Sequence, residues 1–232
     1  VDTENPSSIL SALSSARESA RTIRDLIPRE AWEEINQLYL TAKTDTKPVL
    51  IDRHRFACLS RITFGGQAIN GILSETMSHD EAYDLLLLGR HIERADMTTR
   101  ILDVRTASLG PDLSEDLEPF ENILWMSVLK SLTAYQMYRR KVRLRVRRPD
   151  VLKFLLQDTS LPHAVAYSLA EAEFRLRRLP QNEKPLECVA DLQRRVADAK
   201  PEALQQDALH KFLDTLQIGL IRLHKEIDVR YF

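Results

Sequence analysis

Six charged side chains lie close together along one predicted helix, and their types could bind or transform a polar ligand. They are Arg90, Glu93, Arg94, Asp96, Arg100 and Asp103. Arginine binds carboxylate and phosphate groups through paired N–H donors. A glutamate can hold an amine or act as a general base. This segment is therefore the candidate site of the chain.

Two interpretations of this cluster remain open. In the first, the charges form a structural ion-pair network that fixes the helix against its neighbours. In the second, they line a pocket between helices, where the arginines hold a carboxylate or phosphate and Glu93 holds an amine.

Helical spacing places Glu93 and Arg100 in one mixed stripe, together with Arg90, Met97 and Val104. Apolar residues occur on every side of this helix, so we expect it to be surrounded and Glu93 and Arg100 to be partly buried. Partly buried charges require partners of opposite sign. The first helix supplies three candidates on one face: Arg17, Arg21 and Arg24.

The elements that must position this site are all predicted to be helical. Apolar residues recur at helical spacing, and no segment keeps a strand period. We predict an all-α fold, built as an antiparallel multi-helix bundle. A capping box over Ser78–Glu81 opens the helix of the charged cluster. The pair Gly65-Gly66 marks a bend or a close helix crossing, and a later helix is predicted to run unbroken over 119–142.

The sequence also contains an internal repeat at an offset of 156 residues. At this offset His54 and Phe56 align with His210 and Phe212. We therefore predict one helical domain over 1–232, in which 1–78 ends a first repeat and 79–232 forms a second. The first repeat then lacks its front part, so we expect the chain to be a fragment whose parent carries a further N-terminal segment.

Composition disfavours several classes of function. The net charge is −1, with 44% hydrophobic and 29% charged residues, so nothing global attracts nucleic acid or an anionic membrane. No targeting or membrane-spanning segment is evident, and two distant cysteines are typical of a reducing compartment, so we expect a cytoplasmic protein. Metal-ligand and nucleotide-binding motifs are missing, so we expect neither a metal nor a cofactor.

A basic run over 139–148 has three open interpretations: a nucleic-acid contact, a docking surface for an acidic partner, or a solvated face. No aromatic residue interrupts the run, which makes nucleic-acid binding the least favoured. Cations near a helix C-terminus are also favourable on dipole grounds.

Much of the chain resembles the alpha-E family, an all-helical domain with a Glu-Arg signature. The matching segments are Ala16–Arg24, Trp32–Asn36, Leu88–Arg105, Trp125, Ser131, Ala134–Tyr135, Tyr138–Arg140 and Phe154–Asp158. Members usually begin with a first Glu-Arg helix, which is missing here. Pro162-His163 replaces a frequent Pro-Arg, which weakens the case for an anion site at that position.

The resemblance implies a protein partner, either an ATP-grasp-type ligase or a transglutaminase-like enzyme, and a role in peptide synthesis or modification. We therefore hypothesise a non-catalytic binding or scaffold module, with a small carboxylate, amine or phosphate as a further possible ligand. The alternative is an enzyme of peptide-forming or group-transfer type, with Glu93 as base and Arg90, Arg94 and Arg100 as electrostatic clamps. A solvent-accessible cavity along the Glu93–Arg100 stripe would allow the enzyme, and a sealed network would exclude it.

Overall fold

The computed structural model describes residues 5–6, 8–45, 52–107, 118–142 and 145–232. Within these ranges the chain forms helices and no β-strand, which confirms the predicted all-α fold. The ten helices of the described residues are α1 (Ile9–Thr22), α2 (Arg29–Asp45), α3 (Asp52–Thr76), α4 (Glu81–Ala107), α5 (Glu118–Ser131), α6 (Tyr135–Val142), α7 (Arg148–Gln157), α8 (Val165–Leu176), α9 (Glu183–Asp198) and α10 (Gln206–Tyr231).

The chain divides into two compact units, Val1–Tyr83 and Asp84–Phe232. The bundle arrangement as a whole, the repeat at offset 156 and its halves 1–78 and 79–232 stay predictions. No helix in the described part of the chain combines the length and apolar character needed to cross a bilayer.

The first unit is built on α1, α2 and α3, with α1 packed on α2 and α2 on α3. Ser8 caps α1, because its Oγ accepts a hydrogen bond from the Ser11 N–H at 3.1 Å. The predicted close crossing is confirmed at Gly65, where an added Cβ would lie 2.6 Å from Cδ1 of the buried Leu38. α3 continues through Gly65-Gly66 as one helix.

The start of α4 differs from the predicted capping box. The helix begins at Glu81, and Asp80 is the residue whose side chain caps it. Its Oδ1 accepts hydrogen bonds from the N–H groups of Ala82 at 3.1 Å and Tyr83 at 3.2 Å. Ser78 therefore lies two residues too early to cap the helix. A carboxylate also suits the positive end of the helix dipole.

The second unit encloses a large apolar core along α4 to α10. On α4 the stripe that faces this core contains Leu88, Ala95 and Leu102, which are at most 1% exposed. Their spacing of seven residues keeps them on one face of the helix. α7 lies deepest, since Val151, Leu152, Leu155 and Leu156 are fully buried on several of its sides.

The helix predicted over 119–142 is broken into α5 and α6. Thr133 adopts a left-handed conformation with φ of 53°, and the Ala134 N–H donates to the Leu129 carbonyl at 2.8 Å. The break turns both Leu132 and Ala134 into the core, where they are 5% and 0% exposed. An unbroken helix would point residues two apart toward nearly opposite sides.

The two adjacent glycines of α3 provide a matched test of this packing. Gly66→Ala is expected to raise the free energy of unfolding by about 0.5–1 kcal/mol, because alanine is the better helix former and its Cβ would meet nothing within 4 Å. Gly65→Ala is expected to be less stable than Gly66→Ala by about 1 kcal/mol or more, because Leu38 must move. Urea denaturation of both variants measures the difference, and equal stabilisation would contradict the crossing.

Candidate functional site

Three of the predicted site residues share one solvent-open groove in the second unit. The groove lies between α4 and α10 and has a volume of about 180 Å³. Its lining residues are Ile92, Glu93, Asp96, Arg100, Leu220, Ile221 and His224. The structure therefore brings Glu93, Asp96 and Arg100 together and adds His224, which sequence reasoning did not link to them.

The expected partial burial of Glu93 and Arg100 is wrong. Both residues are exposed, and so are Met97 and Val104 at 51% and 64% of their surface. Because the Leu88, Ala95 and Leu102 face of α4 packs in the core, the stripe that contains Glu93 and Arg100 faces solvent. The apolar residues that seemed to surround the helix are therefore not all buried.

Within the groove, Asp96 and Arg100 form an ion pair. The Arg100 Nε donates to Asp96 Oδ2 at 2.6 Å, and this hydrogen bond raises the pKa of Arg100. Because half of the Arg100 side chain is exposed, the pair contributes little to stability. Its guanidinium has further N–H groups that could hold a carboxylate or a phosphate.

Arg90 and Arg94 do not join this groove. Both are half-buried, and their positive charges act on a different part of the unit. Burial lowers the pKa of His91, and the charges of Arg94 and Arg90 lower it further. Burial also lowers the pKa of His163, and the charge of Arg94 adds to this effect. The proposed catalytic set of Glu93 with three arginines is therefore divided between two faces of α4.

A buried ion-pair network lies on the second of these faces, and sequence reasoning missed it. Asp84 is 2% exposed, and its carboxylate accepts from Arg175 at 3.2 Å and from the Nε of Arg178 at 2.6 Å. Arg175 also contacts Glu171 at 3.4 Å. The sequence does contain a signal for this polar face. Asp84, His91 and Thr98 are seven residues apart, which places three polar side chains on one face of α4 beside a run of leucines.

His91 lies at the centre of this face and is only 6% exposed. Its Nε2 is 3.8 Å from Glu171, and among the described residues its Nδ1 has no hydrogen-bond partner. Burial lowers the pKa of His91 to about 4, and the charges of Arg94, Arg90 and Arg175 add to this effect. His91 is therefore neutral at physiological pH.

Asp103 forms a third group, with His210 and Asp214 of α10. His210 Nδ1 lies 2.6 Å from Asp103, and its Nε2 lies 3.7 Å from Asp214. In the described part of the chain these three residues could hold a metal ion, although no metal was expected from the sequence. The hydrogen bond to Asp103 raises the pKa of His210, which favours the protonated imidazole and an ion pair over metal ligation.

The predicted arginine partners belong to the first unit and have contacts within it. Arg17 donates to Asn36 at 2.7 Å and pairs with Glu18, which also binds Arg21 at 2.8 Å. Arg24 lies over the Trp32 ring at 5.4 Å, a cation–π contact. The pairing of Arg17, Arg21 and Arg24 with the charges of α4 stays a prediction.

The contrast between the buried ion pair of Asp84 and the more exposed ion pair of Asp96 on α4 can be tested by one type of substitution. Asp84→Asn is expected to lower the free energy of unfolding by about 3 kcal/mol, because it removes the buried carboxylate that Arg175 and Arg178 share and leaves Arg175 with the longer contact to Glu171. The matched change Asp96→Asn removes an exposed pair and is expected to cost less than about 1 kcal/mol. Chemical denaturation measures both, and a larger loss for Asp96→Asn would contradict the assignment.

The low pKa of His91 predicts a specific dependence of stability on pH. The unfolded chain binds a proton at this histidine below about pH 6.5, whereas the folded chain does so only near pH 4. The free energy of unfolding should therefore fall as the pH falls from 6.5 to 4, by up to about 3 kcal/mol from this group. His91→Gln should flatten the profile in this window, whereas the control His224→Gln, at an exposed histidine, should not. Parallel profiles for the wild type and His91→Gln would overturn the prediction.

Comparison with known proteins agrees with the all-helical fold. Uncharacterized proteins of Mycobacterium bovis and of two Mycobacterium tuberculosis strains are 22%, 22% and 21% identical over 230 residues. The match covers 95% of this chain and 25% of each relative, so the chain spans about a quarter of the length of the curated relatives it matches. No solved structure matches the chain.

The Alpha-E family, described as "A predicted alpha-helical domain with a conserved ER motif", matches residues 1–232. Glu93-Arg94 is the single Glu-Arg pair of the sequence, and the chain belongs to the Alpha-E family.

Proposed function

We propose that this chain is a non-catalytic helical binding or scaffold module. It acts with an ATP-grasp-type ligase or a transglutaminase-like enzyme in peptide synthesis or modification. The observation that carries the binding role is the exposed mixed face of α4 and α10. We define this α4–α10 face by Glu93, Met97, Arg100, Val104 and Ile221. The class of partner rests on the family resemblance alone.

The composition of the α4–α10 face supports a protein contact. Met97, Val104 and Ile221 are each more than half exposed, at 51%, 64% and 59%. Burial of such side chains drives association, and neighbouring charges give it specificity. Methionine adapts its shape to a partner surface. Glu93 and Arg100 can each bind an oppositely charged group of the partner.

The groove on this face favours binding over catalysis. Its volume of about 180 Å³ is below the roughly 300–1,000 Å³ usual for small-molecule sites. The charges of Glu93 and Arg100 are exposed, and water weakens their effect on a developing transition state. A small carboxylate, amine or phosphate group of a partner still fits the groove.

The second candidate function is an enzyme of peptide-forming or group-transfer type. One observation favours it, since Glu93 and Arg100 share the groove with the imidazole of His224. In this mechanism Glu93 acts as the base and Arg100 as the clamp. Arg90 and Arg94, which the sequence analysis also assigned as clamps, lie outside the groove, and their charges instead contribute to the low pKa of His91.

Substitutions on the α4–α10 face should abolish partner binding without unfolding the chain. Met97→Asp and Ile221→Asp are expected to weaken binding to the host's ligase or transglutaminase-like enzyme at least tenfold, about 1.4 kcal/mol each. The melting temperature should change little, because both side chains are already exposed. Isothermal titration calorimetry with the purified partner measures the affinity.

A matched control, Val229, lies on α10, the helix of Ile221. Val229 is 77% exposed and does not line the groove, so Val229→Asp should leave the affinity unchanged. Equal losses for all three variants would contradict the proposal. Glu93→Gln distinguishes the enzyme: product formation by the mixture should stay within about twofold, whereas a loss of 100-fold or more would identify a catalytic base.

A further inference from the structure

The basic run over 139–148 is divided by the fold into two parts with different environments. Its second part has structural contacts: Arg147 binds Asp150 at 2.8 Å, and Arg148 donates to the carbonyl of Leu204. Arg143 and Leu144 lie outside the described residues. In the first part Arg139 and Arg140 are exposed, and neither has an ion-pair partner within the described part of the chain.

Arg140, one of these two arginines, lines a cavity of the second unit that is larger than the α4–α10 groove. This α6–α7 pocket has a volume of about 480 Å³, within the range of small-molecule sites. Its lining residues are Met137, Arg140, Lys141, Phe154, Ser160, Leu161 and Pro162. The pocket therefore combines two cations with an apolar wall, and Arg139 is not part of it.

A buried carboxylate holds the polar side of this pocket in place. Asp158 Oδ1 accepts from the N–H and the hydroxyl of Ser160 at 2.8 and 2.9 Å, and from the Leu161 N–H at 3.0 Å. Its other oxygen pairs with Lys141 Nζ at 2.5 Å, and Lys141 also donates to Ser160 at 3.1 Å. Lys141 is therefore fixed before any ligand binds, which lowers the entropy cost of binding.

The charge balance selects the ligand. The charge of Lys141 is compensated by Asp158. The pocket therefore has one net positive charge, which is that of Arg140. A single negative charge restores neutrality, whereas a phosphate monoester carries about −1.5 to −2. An Arg guanidinium also matches a planar carboxylate through two parallel N–H donors.

We propose that the α6–α7 pocket binds a carboxylate attached to an apolar group, such as the end or an acidic side chain of a peptide. Arg140 binds the carboxylate, Lys141 contributes its remaining N–H, and Met137 and Phe154 contact the apolar part. The site shares no residue with the α4–α10 face, so it stands or falls independently of the proposed function.

The test uses the 232-residue chain and small probes in NMR titrations. N-acetyl-phenylalanine should bind and shift amide signals of α6 and of residues 154–161. Its uncharged amide and N-acetyl-glycine should each bind at least tenfold more weakly, and phenyl phosphate should bind more weakly than the carboxylate. N-acetyl-alanyl-phenylalanine has a free terminal carboxylate, and the α-amide of N-acetyl-phenylalanyl-glutamic acid has a free side-chain carboxylate. Comparison of their affinities then identifies a peptide terminus or an acidic side chain as the source.

Two adjacent arginines provide the matched variants. Arg140→Gln should weaken N-acetyl-phenylalanine binding at least tenfold, and it should fold normally because Arg140 is exposed and forms no ion pair among the described residues. Arg139→Gln removes the same charge outside the pocket and should leave affinity within about twofold. Equal losses for both variants, equal binding of acid and amide, or no binding to the wild type would overturn the proposal.

Discussion

The buried contact of Asp84 with Arg175 and Arg178 determines how α4 sits in the second unit. A carboxylate that is 2% exposed must keep its partners, because a buried charge without a counter-charge is costly. Arg175 lies in the last turn of α8 and Arg178 lies just after it, so they bind the carboxylate from a fixed direction. Further along, Thr98 donates to the carbonyl of His163 at 2.9 Å. From Asp84 to Thr98 on α4 the residue number rises, whereas the number of the partner in the segment that contains α8 falls from 175–178 to 163, so α4 and this segment run in opposite directions.

This orientation gives the three faces of α4 different properties. The core face is apolar, the face toward α8 carries buried charges, and the third face is open to solvent. The same residue types have different effects on the last two faces, because interactions between charges strengthen as water is excluded. A buried pair such as Asp84–Arg175 contributes to a unique helix position, whereas the exposed pair Asp96–Arg100 stays available to a partner.

Much of the fold could be predicted from the sequence, since helical periodicity and the core stripe of α4 are local patterns. Which polar face of α4 is buried could not be predicted from the sequence, because it depends on contacts with Arg175 and Arg178, which are distant in the chain. Periodicity assigned Glu93 and Arg100 to one mixed stripe, but the expectation that this stripe is partly buried was wrong, because periodicity alone does not show which face of a helix packs on the core. The meeting of Asp103 with His210 also depends on tertiary packing. The break at Thr133 had no local signal, since the sequence there lacks glycine and proline.

The most direct test of this account is carboxyl footprinting of the folded chain, in which a carbodiimide and an amine label accessible carboxylates. Mass spectrometry then gives the labelling rates of Asp84 and Glu93, which lie on the same helix. The account predicts rapid labelling of Glu93 and at least tenfold slower labelling of Asp84, with the difference lost on unfolding. Rapid labelling of Asp84 with protection of Glu93 would show that the charged stripe of α4 is buried and would contradict both the orientation of the helix and the proposed binding face.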